Sequence, residues 1–216
     1  MAYLCTELDD MEQLVEQVLR QASTLLDKVK IYEIKIQSLA AQNKLLEAVS
    51  MALTVLKLLD IRFPPKPGKW HILLALLRTK QKLSFGKKLS FSLTQNGHKT
   101  IKDLINLPRM TDANQLAVMR ILAQLYSVAY KAAPELFPLT VFKQVCLSIN
   151  YGNAAESAFA YAAYGLILCA LEKDIEAGYQ FGALALDLLD KFQARELQAR
   201  TLMIVNTHIK HWHEPI

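Results

Sequence analysis

Punctuation is what this chain lacks. Its 216 residues include seven glycines and seven prolines, and the first of either kind is Pro64. More than sixty residues therefore pass without the residues that make tight turns or break helices. A β-rich fold needs such turns every few residues, so the scarcity argues against one. Abundant Leu, Ala, Ile and Val with few breakers points to an all-α protein.

Cysteine is equally sparse. Cys5, Cys146 and Cys169 are odd in number, far apart and part of no CxxC pair. No basic-then-apolar leader opens the chain, and the expected setting is reduced and cytoplasmic. The longest nearly apolar run, from Ala158 to Leu171, has fourteen residues. A membrane span needs roughly 20, so this run is expected to be a buried helix.

Catalytic signatures are missing too. The glycines form neither GxGxxG nor GxxxxGK[ST], and no HRD, DFG, GxSxG or HExxH occurs. No catalytic, cofactor-binding or metal-binding residue is assigned on this basis, and no cofactor is expected. Asp9, Asp10, Glu172, Asp174 and Glu176 fall at expected helix starts, where a carboxylate complements the helix dipole.

One stretch lacks acids altogether. From Ile61 to Lys102 there are ten Lys and Arg residues and no Asp or Glu, whereas the rest of the chain carries 15 basic against 20 acidic residues. The net charge of +5 thus comes from a single segment. Its basic residues, interleaved with Trp70, Phe85 and Phe91, suit an acidic protein surface or a phosphate backbone, or a solvated loop of the same composition. Protein is the preferred partner over nucleic acid.

What is present is helical periodicity. Met11, Leu14, Val15, Val18, Leu19, Ala22, Leu25, Leu26 and Val29 recur at the spacing that lines one face of a helix. Lys28–Ala41 and Lys44–Ile61 follow as antiparallel neighbours joined by a short turn, and Arg62–Gly68 stops the second of them. A helix from Lys69 to Leu83 precedes a loop or insertion over Ser84–Lys99, where "KLSF" occurs twice. Thr100–Pro108 gives a short helix. Asp112 and Gln115, and later Asn153 and Glu156, have the spacing of helix-capping pairs. Another helix is expected with Pro134 in its first turn and Gly152 beyond its end, and about ten are expected in all. The chain divides into residues 1–63, 64–110 and 111–216.

Beneath the helices lies a weak repeat. Tyr161, Tyr164, Gly165 and Leu168, with Ala177 twelve residues beyond the glycine and Phe181 four beyond that, fit the spacing of tetratricopeptide-type hairpins. Small residues are needed there because two helix axes cross closely. The next small position falls on Leu184, between Ala183 and Ala185. Tyr32, Ala48 and Ala52 fit in the earlier hairpin, but Ile36 replaces the glycine and Leu39 the second aromatic. The expected fold is an α-solenoid of antiparallel hairpins with degenerate repeats, and a generic helical bundle is the alternative.

The end of the sequence, "THIKHWHEPI", groups His208, His211 and His213. Zinc would need further ligands, and Pro215 falls where the helix of a phosphoacceptor histidine would have to continue. The three are read as histidines on a polar helix end.

Several phrases carry a family likeness. "PPKPGKWHILLALLRTK", "IKDLINLPRMTD", "LSINYGNAAESAFAYAAYGLILC" and "ALDLLDKFQARELQARTLMIVNTHIKHWHEPI" resemble the helical, tetratricopeptide-like region of large cyanobacterial-type multi-sensor signal-transduction kinases. Such proteins join serine/threonine kinase and AAA-like ATPase domains to this stretch, with GAF or PAS sensors and a histidine-kinase core after it. The resemblance spans about Ile31 to Ile216 and implies an internal slice of a longer polypeptide. Arg109 stands where that family tends to carry an acid.

The resemblance implies a non-catalytic segment that links and spaces signalling domains, binds protein and tends to self-associate. The alternatives are a kinase or ATPase by parentage, and a stand-alone protein-binding repeat with a basic loop.

Overall fold

The computed structural model of the chain describes residues 8–89 and 101–213. Among these residues the protein is all-α, with ten α-helices and no strand. They are α1 (Leu8–Gln21), α2 (Leu25–Ala41), α3 (Leu45–Leu58), α4 (Lys69–Leu89), α5 (Ala113–Ala132), α6 (Leu136–Tyr151), α7 (Ala155–Ile167), α8 (Ile175–Phe192), α9 (Arg195–Ile204) and the short α10 (His211–His213). A 3-10 helix spans Ile101–Asn106, and wider π turns extend α7 over Leu168–Glu172 and α9 over Val205–Lys210.

The helix boundaries follow local chemistry, and several depart from the sequence reading. The apolar stripe Met11–Val29 is divided between two helices. Thr24 intervenes in an extended conformation, and its hydroxyl accepts from the Asp27 backbone N–H at 3.1 Å, starting α2 afresh. The third helix ends at Leu58, before the prolines, because Asp60 turns left-handed. Ser84–Leu89, expected as loop, continues α4; Gly86 costs a helix only about 1 kcal/mol. The remainder of that expected loop lies outside the described residues.

Asp112 caps α5 as expected, accepting from the backbone N–H groups of Asn114 and Gln115 at 2.8 and 3.0 Å. The Asn153–Glu156 cap does not form. Ala154 is the N-cap of α7, and the Ser157 hydroxyl accepts from its N–H at 2.9 Å. Asn153 is used as a buried staple instead. Its side-chain amide donates to the Leu104 carbonyl at 2.7 Å, its side-chain oxygen accepts from Tyr161 at 3.3 Å, and its backbone bridges Pro108 and Met110. Gly152 makes the approach possible: it sits at φ +97°, and a Cβ there would strike the Pro108 carbonyl.

Packing follows chain order. The helices α2, α5, α7 and α9 form one row, each touching the next. A second row of α3, α6 and α8 fills the steps between them: α3 packs on α2 and α5, α6 on α5 and α7, α8 on α7 and α9. Outside this second row, α4 leans on α6 and the 3-10 helix on α8. Two apolar clusters run through the stack, one centred on α2, α3 and α5 and the other on α6 to α9.

The tightest crossing is between α7 and α8. It joins Gly165 to Gly178, one residue beyond the Ala177 that the repeat spacing indicates. A Cβ on Gly165 would lie 2.7 Å from the Gly178 carbonyl oxygen and 3.3 Å from the Phe181 Cβ, so the helices would have to part. Gly165→Ala is expected to destabilise by about 1–3 kcal/mol, the cost of overpacking a close interface. Thermal unfolding would register a melting point lower by several degrees, and an unchanged value would contradict this geometry. Lys173 shows the opposite case, holding the left-handed end of the α7 π turn at φ 56°. Lys173→Gly removes the Cβ penalty there and should raise stability by about 1 kcal/mol in the same assay.

Candidate functional site

The row of α2, α5, α7 and α9 places one charged side chain from each helix in a series of alternating sign: Glu33, Arg120, Glu156 and Arg200. Arg120 Nε donates to Glu33 Oε1 at 2.9 Å, joining α5 to α2. The Arg200 guanidinium lies 5.1 Å from the centre of the Phe159 ring of α7 and donates from Nη1 to the Ala123 carbonyl of α5 at 3.4 Å. One arginine thus spans three helices.

Glu156 lies within the electrostatic reach of both arginines. Burial pushes its carboxyl above the usual range; its own backbone N–H, Arg120 and Arg200 pull it back, while Glu33 pushes it further up. Burial likewise lowers the Arg200 guanidinium, with Glu156 and Glu196 opposing. Desolvation outweighs attraction at both residues. Glu33 and Arg120 are in direct contact, whereas Glu156 is influenced by Arg120, Arg200 and Glu33 through their charge. The arrangement offers both signs of charge along one row of helices.

Sequence reasoning reached Glu156 only as a capping residue and did not single out the other three. A signal was present for Arg120, a lone charge within "LAVMRILAQL". A cation inside an otherwise apolar helical stretch needs a partner, and Glu33 supplies it across 87 residues of sequence.

The residues that sequence analysis did weigh are not brought together. His208 Nδ1 lies 2.5 Å from the Thr207 hydroxyl, and the His211 ring tilts against Trp212 at 4.9 Å, so each engages its own chain neighbour. His208 lies within the widened turn Val205–Lys210, and His211 opens α10 directly after it. The side chain of His213 lies outside the description. Among the described residues, no group of three or more His, Cys, Asp or Glu is placed to hold a metal ion. Cys146 faces Thr79 at 3.5 Å, and Cys169 is buried beside Gly178, where burial pushes its thiol up. Cys5 lies outside the described residues. Asp174 is the N-cap of α8, accepting from the Ala177 N–H at 3.1 Å, and Glu172 pairs with Lys80.

The basic segment is divided by its packing. Lys80 and Lys82 are engaged, the latter donating to Asn150 at 2.9 Å, while Arg62, Lys66, Lys69 and Arg78 stay exposed. Arg109 reaches over the Phe192 ring at 5.7 Å. The side chains of Phe85 and Phe91 lie outside the description.

A partly buried acid with a raised pKa burdens the folded state while ionised. The burden is present above its folded pKa and is relieved as pH falls through that value. Glu156→Gln should therefore raise the melting point at pH 8 more than at low pH. The gain should shrink as pH falls toward the ordinary carboxylate range and the wild-type carboxyl takes up its proton. A gain that is constant with pH would show that ionisation of Glu156 is not its source.

No family model matches the chain, and neither a curated protein nor a solved structure matches it.

Proposed function

We propose that the chain is a non-catalytic α-solenoid whose stacked hairpins space and dock the modules of a multi-domain signalling protein. The observation that carries this reading is the regular succession of contacts. The α2–α3, α5–α6 and α7–α8 hairpins and the leading helix α9 repeat one relation, first-row helix to second-row helix to next first-row helix. Contacts between successive neighbours are what a helical-repeat array uses, and they support this reading. The Gly165–Gly178 crossing and the buried Ala48 and Ala52 supply the small residues that such hairpins use where axes approach.

The first row offers the docking face. Its alternating Glu33, Arg120, Glu156 and Arg200 would set the register of a partner segment that carries both signs of charge, while exposed groups around them supply contact area. A partner that bound one arrangement of the stack more tightly would shift the equilibrium of any enzyme attached to it. The likeness to the helical region of multi-sensor kinases supports the same reading, with protein as the partner.

Two measurements test it. In an array, damage is local: Ala52→Val overpacks α3 and should speed amide hydrogen exchange in α2, α3 and α5 while α8 and α9 keep their protection. Uniform loss of protection would contradict the array. For the non-catalytic assignment, titration with magnesium and ATP should show no saturable binding. A dissociation constant under about 1 mM, within the range of enzyme–substrate affinities, would replace it with the kinase or ATPase alternative. In-frame kinase and sensor modules on either side of the coding sequence are the expected genomic context, and unrelated genes there would remove the parentage.

A further inference from the structure

Helix α4 is apolar on two opposite faces. One face, with Leu76 buried and Ile72, Ala75 and Leu83 partly so, packs into the core cluster that α6 belongs to. The other carries Trp70, Leu73, Leu74 and Leu77, which are 76, 43, 51 and 54 % exposed. Their spacing of three, four and seven residues places them in a single stripe two turns long. Lys69 and Arg78 border the stripe, and Arg62 and Lys66 precede it, all exposed. No acid occurs anywhere between Ile61 and Lys102.

We propose that this face of α4 docks on an anionic lipid surface, with Trp70, Leu73, Leu74 and Leu77 inserted among the acyl chains and the basic border against the headgroups. Two kinds of chemistry must be satisfied together, and they narrow the occupant. A nucleic acid would take the Lys and Arg residues but leave three leucines without a partner, since its backbone contacts are polar and charged. A second copy docked through the same face would bring two basic borders together. A protein partner would have to present one sign of charge along the whole of this segment. A bilayer of anionic lipid offers all of it at once: an extended surface of one sign over an apolar interior, an interface that favours tryptophan, and headgroups to which lysine stems extend. The position of α4 fits, because it leans on α6 from outside the two rows and its stripe faces away from that support.

The test uses the full chain with Trp212→Phe, so that emission reports Trp70 alone of the two tryptophans. Sedimentation and fluorescence are measured with vesicles of phosphatidylcholine, and with vesicles containing roughly 30 % phosphatidylserine as the anionic component. The proposal expects co-sedimentation and a blue-shifted emission with anionic vesicles only. It expects at least tenfold weaker binding for Leu74→Ser with Leu77→Ser, and a similar loss for Lys69→Glu with Arg78→Glu. All four positions are exposed, and helicity by circular dichroism confirms that each variant is folded. Equal binding to neutral vesicles, absence of binding to either kind, or anionic binding undiminished in both variants overturns it. A dimer that the Leu74→Ser, Leu77→Ser pair dissolves, with no lipid binding, assigns the stripe to a second copy instead. Duplex binding that survives the leucine variants, with no lipid binding, assigns the basic border to nucleic acid.

Discussion

The contact between Gly165 of α7 and Gly178 of α8 sets the spacing on which the rest of the stack depends. Four neighbours, α5, α6, α8 and α9, pack on α7, and from Ser157 to Gly165 every one of its residues is buried. Such a helix has no solvent face to absorb a misfit, so its distance to each neighbour must be settled by side-chain volume. Alanines at positions 158, 160, 162 and 163 keep it thin, and Tyr161, Tyr164 and Phe159 fill the wider gaps between them. With the glycines in place, Phe181 reaches both tyrosine rings, stacked on Tyr161 at 5.8 Å and edge-on to Tyr164 at 4.9 Å. Larger residues at the crossing would separate these rings and shift α9, whose Ile209 extension rests on Gly165 and Gly182.

The polar groups around α7 obey the same constraint. Ser148 and Ser157 share a 2.7 Å hydrogen bond in the buried step between α6 and α7, and Ser148 also bonds back to the Gln144 carbonyl. Asn153 uses both ends of its amide within the core. Each satisfies donors or acceptors that would otherwise be buried without partners, an omission that costs about 1–3 kcal/mol apiece. The end of the 3-10 helix and the irregular stretch Leu107–Met110 are held to the helices by Asn153.

How much of this was legible in the sequence depended on whether the signal was local. Helical content was plain from the missing turn residues and the three-and-four periodicity, and Asp112 announced its cap. Boundaries were legible only where one residue type decides them. Thr24 interrupted a stripe that continues unbroken through it, and Asp60 ended a helix that the prolines were expected to end. The glycine that signals helix ends in other chains is scarce here, so Asn43, Asp60, Lys173 and Gln193 adopt the left-handed conformation with a Cβ in place. In the candidate site, the capping spacing drew attention to Glu156 for the wrong reason. Its partners come from helices dozens of residues away, and no local pattern links Glu33 to Arg120 or Glu156 to Arg200. His208 and His211 of "THIKHWHEPI" illustrate the converse: close in sequence, they engage separate neighbours, Thr207 and Trp212.

The alternating charges of the first row are held at a cost. Burial disfavours both Glu156 and Arg200 in ionised form, so the row is not there to maximise stability; apolar residues of similar volume would avoid that penalty. Glu33 already pushes the Glu156 carboxyl up, and Arg200 already reaches the Ala123 carbonyl of α5, so the four side chains act on one another beyond adjacent helices. The row thus holds its charged groups at a desolvation cost, and under the proposed reading it is the face whose charge pattern a partner would have to match.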